Sequence, residues 1–116
     1  MPKRTDKEFL LDIMEAINRI ELYTKGLNYQ DFLQKIETQD AVVRNLEIIG
    51  EAVKNTSKNL KAKYDNIQWK EIAGMRDKVI HFYFGVNWDI VWKAAKDSLP
   101  QLKEKIERIL QEIKEK

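Results

Sequence analysis

Apolar residues recur every three or four positions through most of the chain, the period of one face of an α-helix. Phe9, Leu10, Ile13, Ile17 and Ile20 form the first stripe, and Thr5 with Glu8 has the spacing of a capping box at its start. That helix is expected to end near Gly26. A short helical turn follows around Tyr29 to Ile36, after which Thr38 can cap a long helix with Val42, Leu46, Ile49 and Val53 on one face. Gly50 lies inside it, where glycine costs about 1 kcal/mol against alanine, so a close approach by a neighbouring helix is expected. The pattern weakens at Asn55 to Ser57, and Lys58 to Tyr64 reads as a further short helix. Trp69, Ile72, Met75, Val79 and Phe82 mark a third major helix, which Gly85 interrupts and after which Asn87 can cap the next. The last segment, Trp88 to about Glu115, carries Val91, Ala95, Leu102, Ile106, Ile109 and Ile113, and Pro100 within it predicts a kink or a split. With no period-two alternation and no repeat, the pattern predicts one all-α domain over residues 1–116, a four- to five-helix up-down bundle.

Composition narrows what such a bundle can do. At 116 residues one core is expected. The absence of cysteine excludes disulfides and thiolate zinc sites, and a lone histidine, His81, argues against a histidine metal site, so any hydrolysis is expected to be metal-free or to borrow its metal, and no cofactor is expected. No apolar run approaches the roughly 20 residues of a membrane span, and the charged start (Lys3, Arg4, Asp6, Lys7, Glu8) is unlike a secretion signal, which predicts a cytoplasmic protein. Basic and acidic residues number 21 and 19, a net charge of +2, so any nucleic-acid binding needs a local basic surface. Lys54, Lys58, Lys61 and Lys63 could guide RNA, and a solvated face explains them equally well.

Candidate chemistry is concentrated between Arg76 and Tyr83. Arginine stays cationic and grips phosphate in a forked geometry, while histidine exchanges a proton near neutrality. Attack of an RNA 2′-hydroxyl on the adjacent phosphorus needs such groups. Asp77 precedes His81 by one helical turn and could orient the imidazole or raise its pKa, or the two could form a simple helix-stabilising pair worth about 0.2–0.5 kcal/mol. Arg76 and His81 are about 140° apart round the helix and Tyr83 is nearly in line with Arg76, so the three can border one cleft. Elsewhere, Arg44, Glu47 and Glu51 sit at pairing distance along one helix and read as mutual ion pairs, or as groups orienting Arg76 or His81. Trp69, Trp88 and Trp92 with Phe82, Tyr83 and Phe84 read as core or interface, with base stacking as the alternative.

The spacing of Arg76, His81 and Tyr83 within Gly-Met-Arg-Asp-Lys-Val-Ile-His-Phe-Tyr resembles the signature of HEPN domains, in particular the HepT-like toxins formerly known as DUF86 proteins. Arg44-Asn45-Leu46-Glu47-Ile48-Ile49-Gly50-Glu51-Ala52 is similar to that family's second-helix motif, Trp69-x-x-Ile72-Ala73-Gly74 to the lead-in to its site, and Trp92 with Leu99-Pro100-x-Leu102 to its C-terminal pattern. The resemblance implies a helical homodimer that cleaves RNA without metal and is encoded beside a small nucleotidyltransferase antitoxin. Arg76 and His81 would hold the catalytic positions, Asp77 a supporting one, and Tyr83 the place of the tyrosine that receives AMP. A subunit that only binds a nucleotide, or docks the nucleotidyltransferase, is the alternative. One departure stands out: Asn87 occupies a place where the family pattern leads us to expect aspartate, which keeps the capping ability and loses the charge.

Overall fold

A computed structural model of the chain describes residues 3–81 and 87–115. Among the described residues seven α-helices follow one another: α1 (Asp6–Thr24), α2 (Tyr29–Gln34), α3 (Ile36–Asn55), α4 (Lys58–Lys63), α5 (Trp69–His81), α6 (Trp88–Lys93) and α7 (Leu99–Glu115). A π-helical turn over Ala94–Ser98 joins the last two into one rod. With α2 and α4 only six residues each, the long members are α1, α3, α5 and that rod, as an all-α bundle requires. Among the described residues there is no strand, and no helix is long and apolar enough to cross a membrane.

Local chemistry sets most helix starts. The capping box of α1 is present: Thr5 Oγ1 accepts from the Glu8 N–H at 3.2 Å, and Glu8 Oε1 accepts from the Thr5 N–H at 3.2 Å. Those donors from Thr5, backbone first and hydroxyl second, hold the Glu8 carboxyl below its ordinary range. Asn28 and Asp31 form a second capping box at α2, and Asn87 caps α6 by accepting from the Ile90 N–H at 3.3 Å. Thr38 does not cap α3. Only Lys35 separates α2 from α3, so the helix has already begun by Thr38, and the junction is tied instead by the buried Gln39 amide donating to the Phe32 carbonyl at 3.0 Å. Ser57 caps α4 and also donates from its backbone and hydroxyl to Asp6, at 2.8 and 2.6 Å, closing α4 onto the start of α1.

Pro100 neither breaks nor splits the C-terminal rod. Proline has no N–H and its ring clashes with the carbonyl four residues back. Here the turn before it widens, so that the Leu99 N–H reaches the Ala94 carbonyl, five residues back. Lys96, inside that wide turn, donates to the Thr24 carbonyl at 3.1 Å and lies over the Trp92 ring, pinning the rod to the end of α1.

The core is the meeting of three stripes: Leu10, Ile13, Ile17 and Ile20 from α1, Val42, Leu46, Ile49 and Val53 from α3, and Leu99, Leu102, Ile106 and Ile109 from α7. α1 packs on α3, α7 on α1, and α5 on α3. A cleft of about 250 Å³ separates α5 from α7, floored by Ile72, Met75, Leu99 and Leu102.

Candidate active site

The catalytic candidates Arg76, Asp77 and His81 lie on α5, so what positions that helix positions the site. Its start is fixed firmly. Trp69 is 7% exposed and its indole N–H donates to the Tyr64 carbonyl at 3.0 Å, while the Tyr64 hydroxyl donates to Glu112 on α7. That glutamate pushes the Tyr64 phenol above its ordinary range, chiefly because it accepts a hydrogen bond that only the protonated phenol can donate, with burial and then the repulsion of two negative charges adding to it. Ile72, Ala73 and Met75 then pack against the core.

From this anchored start the helix continues through Arg76, Asp77 and His81. Asp77 is exposed, one turn before His81. On the register of an ideal α-helix positions 76 and 81 stand about 140° apart. Tyr83, with Phe82, Phe84, Gly85 and Val86, lies outside the described residues.

α3, packed on α5, carries the second motif. Arg44, Glu47, Ile48 and Glu51 line a shallow cavity of about 410 Å³. Among the described ion pairs there is none joining Arg44 to either glutamate. Glu51 instead accepts from the Asn55 amide at its backbone carbonyl, 2.9 Å away, and at Oε1, 3.5 Å away. Asn45 is 4% exposed, donates to the Ala41 carbonyl at 2.8 Å, and its Oδ1 has no donor among the described residues. Asn45 also lines a cavity of about 150 Å³ with Asp12, Glu15 and Arg19. Sequence spacing gave no sign of this cavity, because it forms only where α1 and α3 meet.

Trp69 is a core residue, and Trp88 and Trp92 are partly buried against the core. Trp92 and Trp88 pack on the buried Phe32 at ring separations of 5.1 and 5.8 Å. Lys54, Lys58 and Lys63 are exposed, while Lys61 is partly buried, which lowers its pKa.

Comparison with known proteins places this arrangement. The family described as "Ribonuclease HepT-like" matches residues 13–109. A protein of Methanocaldococcus jannaschii named "Putative RNase MJ1216" is 47% identical over 116 residues, covering 100% of this chain and 96% of that one. "Probable ribonuclease HepT" of Thermococcus cleftensis is 49% identical over 107 residues, 92% of this chain and 97% of that one. "Putative RNase TTE0752" of Caldanaerobacter subterraneus is 42% identical over 111 residues, 96% of this chain and 99% of that one. No solved structure matches the chain significantly. With the family matched from the middle of α1 to the third turn of α7, the chain belongs to the ribonuclease HepT-like family.

Proposed function

We propose that this chain is a ribonuclease that cleaves RNA by attack of a ribose 2′-hydroxyl on the adjacent phosphorus, with Arg76 and His81 as its catalytic residues. The observation that carries the reading is the family membership of a chain whose sole histidine stands five positions after an arginine on one anchored helix. In the reaction the 2′-oxygen bonds to phosphorus, the bond from phosphorus to the 5′-oxygen breaks, and a proton passes from the first oxygen to a base while the second gains one from an acid. His81 serves in proton transfer, and Arg76 offsets the charge that builds on the equatorial oxygens. Asp77, one turn before His81, supports the protonated imidazole. With one histidine and no cysteine to offer a metal, the chain is expected to cleave single-stranded RNA in excess EDTA and leave a 2′,3′-cyclic phosphate. Loss of cleavage on chelation, restored by magnesium, would contradict this chemistry. Nucleotide binding without any cleavage would favour the docking-subunit alternative.

On the same reading the protein is the toxin of a toxin–antitoxin pair, acts in the cytoplasm, and is held in check by a small nucleotidyltransferase. One histidine cannot be acid and base at once, and a two-fold homodimer that brings two copies of Arg76 and His81 into one cleft supplies both. Tyr83 is the residue that the nucleotidyltransferase modifies, adding AMP and with it negative charge where an RNA phosphate must lie. Incubation with that enzyme and ATP should give an adduct by intact-mass measurement that Tyr83→Phe does not accept. An adduct persisting on the Phe variant would place the modification elsewhere.

A further inference from the structure

The cleft between α5 and α7 has a lining unlike the other cavities of the bundle. At about 250 Å³ it lies below the range of about 300–1,000 Å³ that drug-sized ligands occupy, and its scale is that of a single planar heterocycle. Its floor is apolar: Leu99 and Leu102 are buried, and Ile72 and Met75 partly so. Its rim is polar. Asn66, Gln68 and Gln101 bring three carboxamides, each with donors and an acceptor, and Ser98 brings a hydroxyl. Lys105 adds a cation, and among the described lining residues there is no carboxylate. The cavities at Asn45 and at Arg44, by contrast, are lined by Asp12 and Glu15 and by Glu47 and Glu51.

The cleft leads towards the candidate site. Lys105 donates to the Asn66 carbonyl at 3.4 Å, just before α5, and Glu112, further along α7, accepts from Tyr64. α7 therefore runs antiparallel to α5, and its first turn, with Leu99, meets the level of Met75. On the register of an ideal helix, position 76 stands about 40° from Ile72 and one turn beyond it, on the cleft side of α5, while position 81 stands on the opposite side. The cleft thus flanks the proposed cleavage site on its Arg76 side.

We infer that this cleft is a nucleobase subsite: the base of a nucleotide beside the scissile phosphate leaves its stack, lies against Ile72 and Met75, and meets the rim carboxamides and Lys105 with its edge. The inference rests on the proposed ribonuclease activity and adds to it the place where the substrate is held by a base. A base is apolar on its faces and carries donors and acceptors round its edge, which an apolar floor under an amide rim complements. The ammonium and the lining free of carboxylates suit a ligand tethered to phosphates, which an acidic rim would repel.

Met75 is a built-in probe for the test. The chain has three methionines, Met1, Met14 and Met75, so isotopic labelling of their methyl groups gives three assignable NMR signals. Uncleavable 2′-O-methyl RNA should move the Met75 signal upfield through the ring current of the base lying on it, and leave Met14 on α1 in place. An abasic strand of the same length and charge should bind more weakly and leave Met75 unmoved. Gln101→Trp, a change at an exposed rim position that fills the mouth of the cleft, should keep the melting temperature, erase the Met75 shift and lower kcat/KM on single-stranded RNA by about tenfold, the scale of one stacked base. A Met75 signal that stays put when RNA binds, or that the abasic strand moves equally, would overturn the subsite, and so would parental cleavage by a folded Gln101→Trp protein. Cleavage of ordinary RNA, assayed in parallel, keeps the two proposals apart. A Met75 shift in a protein that never cleaves upholds the subsite and ends the ribonuclease reading, while cleavage without the shift does the reverse. A protein that neither binds nor cleaves overturns both.

Discussion

Replacing His81 with alanine should cost at least about a hundredfold in RNA cleavage, the range over which a positioned acid or base contributes, while the melting temperature stays close to that of the parent. The expectation of an intact fold comes from the architecture. The buried stripes belong to α1, α3 and α7, and α5 is fixed at its other end by Trp69, three turns before His81. A histidine in proton transfer should also set the pH profile, so the residual activity of His81→Ala should lose the titration that the parent shows near neutrality. The companion variant is Arg76→Lys, which keeps the charge and loses the fork. If phosphate is held bidentately, lysine should restore only part of what Arg76→Ala loses. A His81→Ala protein that cleaves normally, or one that melts many degrees lower, would return His81 to an ordinary packing role and leave the proposed chemistry without its proton carrier.

What could be read before the fold was known divides by distance along the chain. The stripes of α1, α3 and α7 and the capping box at Thr5 and Glu8 depend on residues three and four apart, and they stand where the spacing places them. Asp77 and His81 on one helix are legible for the same reason. Asn28 and Asp31 have the spacing of a capping box too, but a six-residue helix leaves too short a stripe to flag it. Nothing local shows that Asp6 will meet Ser57, 51 positions away, or that Tyr64 will tie α5 to Glu112. Pro100 forewarned of a disturbance without saying which. Its cost is met by a wider turn on its N-terminal side, held by Lys96 against α1, and that contact spans 72 positions.

Ile17→Ala should cost about 2–5 kcal/mol, a large part of the 5–15 kcal/mol that holds a domain of this kind folded. Ile17 is fully buried at the middle of α1, the helix that contacts both α3 and α7, so the lost methyl groups leave a void bordered by two other stripes. Collapse into that void is resisted on both sides. α3 is held to α1 along most of its length, and α7 is held to it by the Lys96 bond to Thr24 and the Lys103 to Glu21 ion pair at 3.1 Å. Urea denaturation should therefore show a midpoint lower by about 1–2 M with an unchanged slope, because the surface exposed on unfolding is nearly the same. Leu22→Ala is the control on the same helix: Leu22 is 69% exposed, and surface changes of this kind stay within about 0.5 kcal/mol. Cleavage by Ile17→Ala, assayed well below its melting temperature, should match the parent, since the substitution leaves α5 anchored through Trp69 and Tyr64. A cost under about 1 kcal/mol would mean that α7 closes onto α3 when α1 is thinned. A large loss of cleavage in a folded protein would mean that the packing of α1 reaches the candidate site through α3.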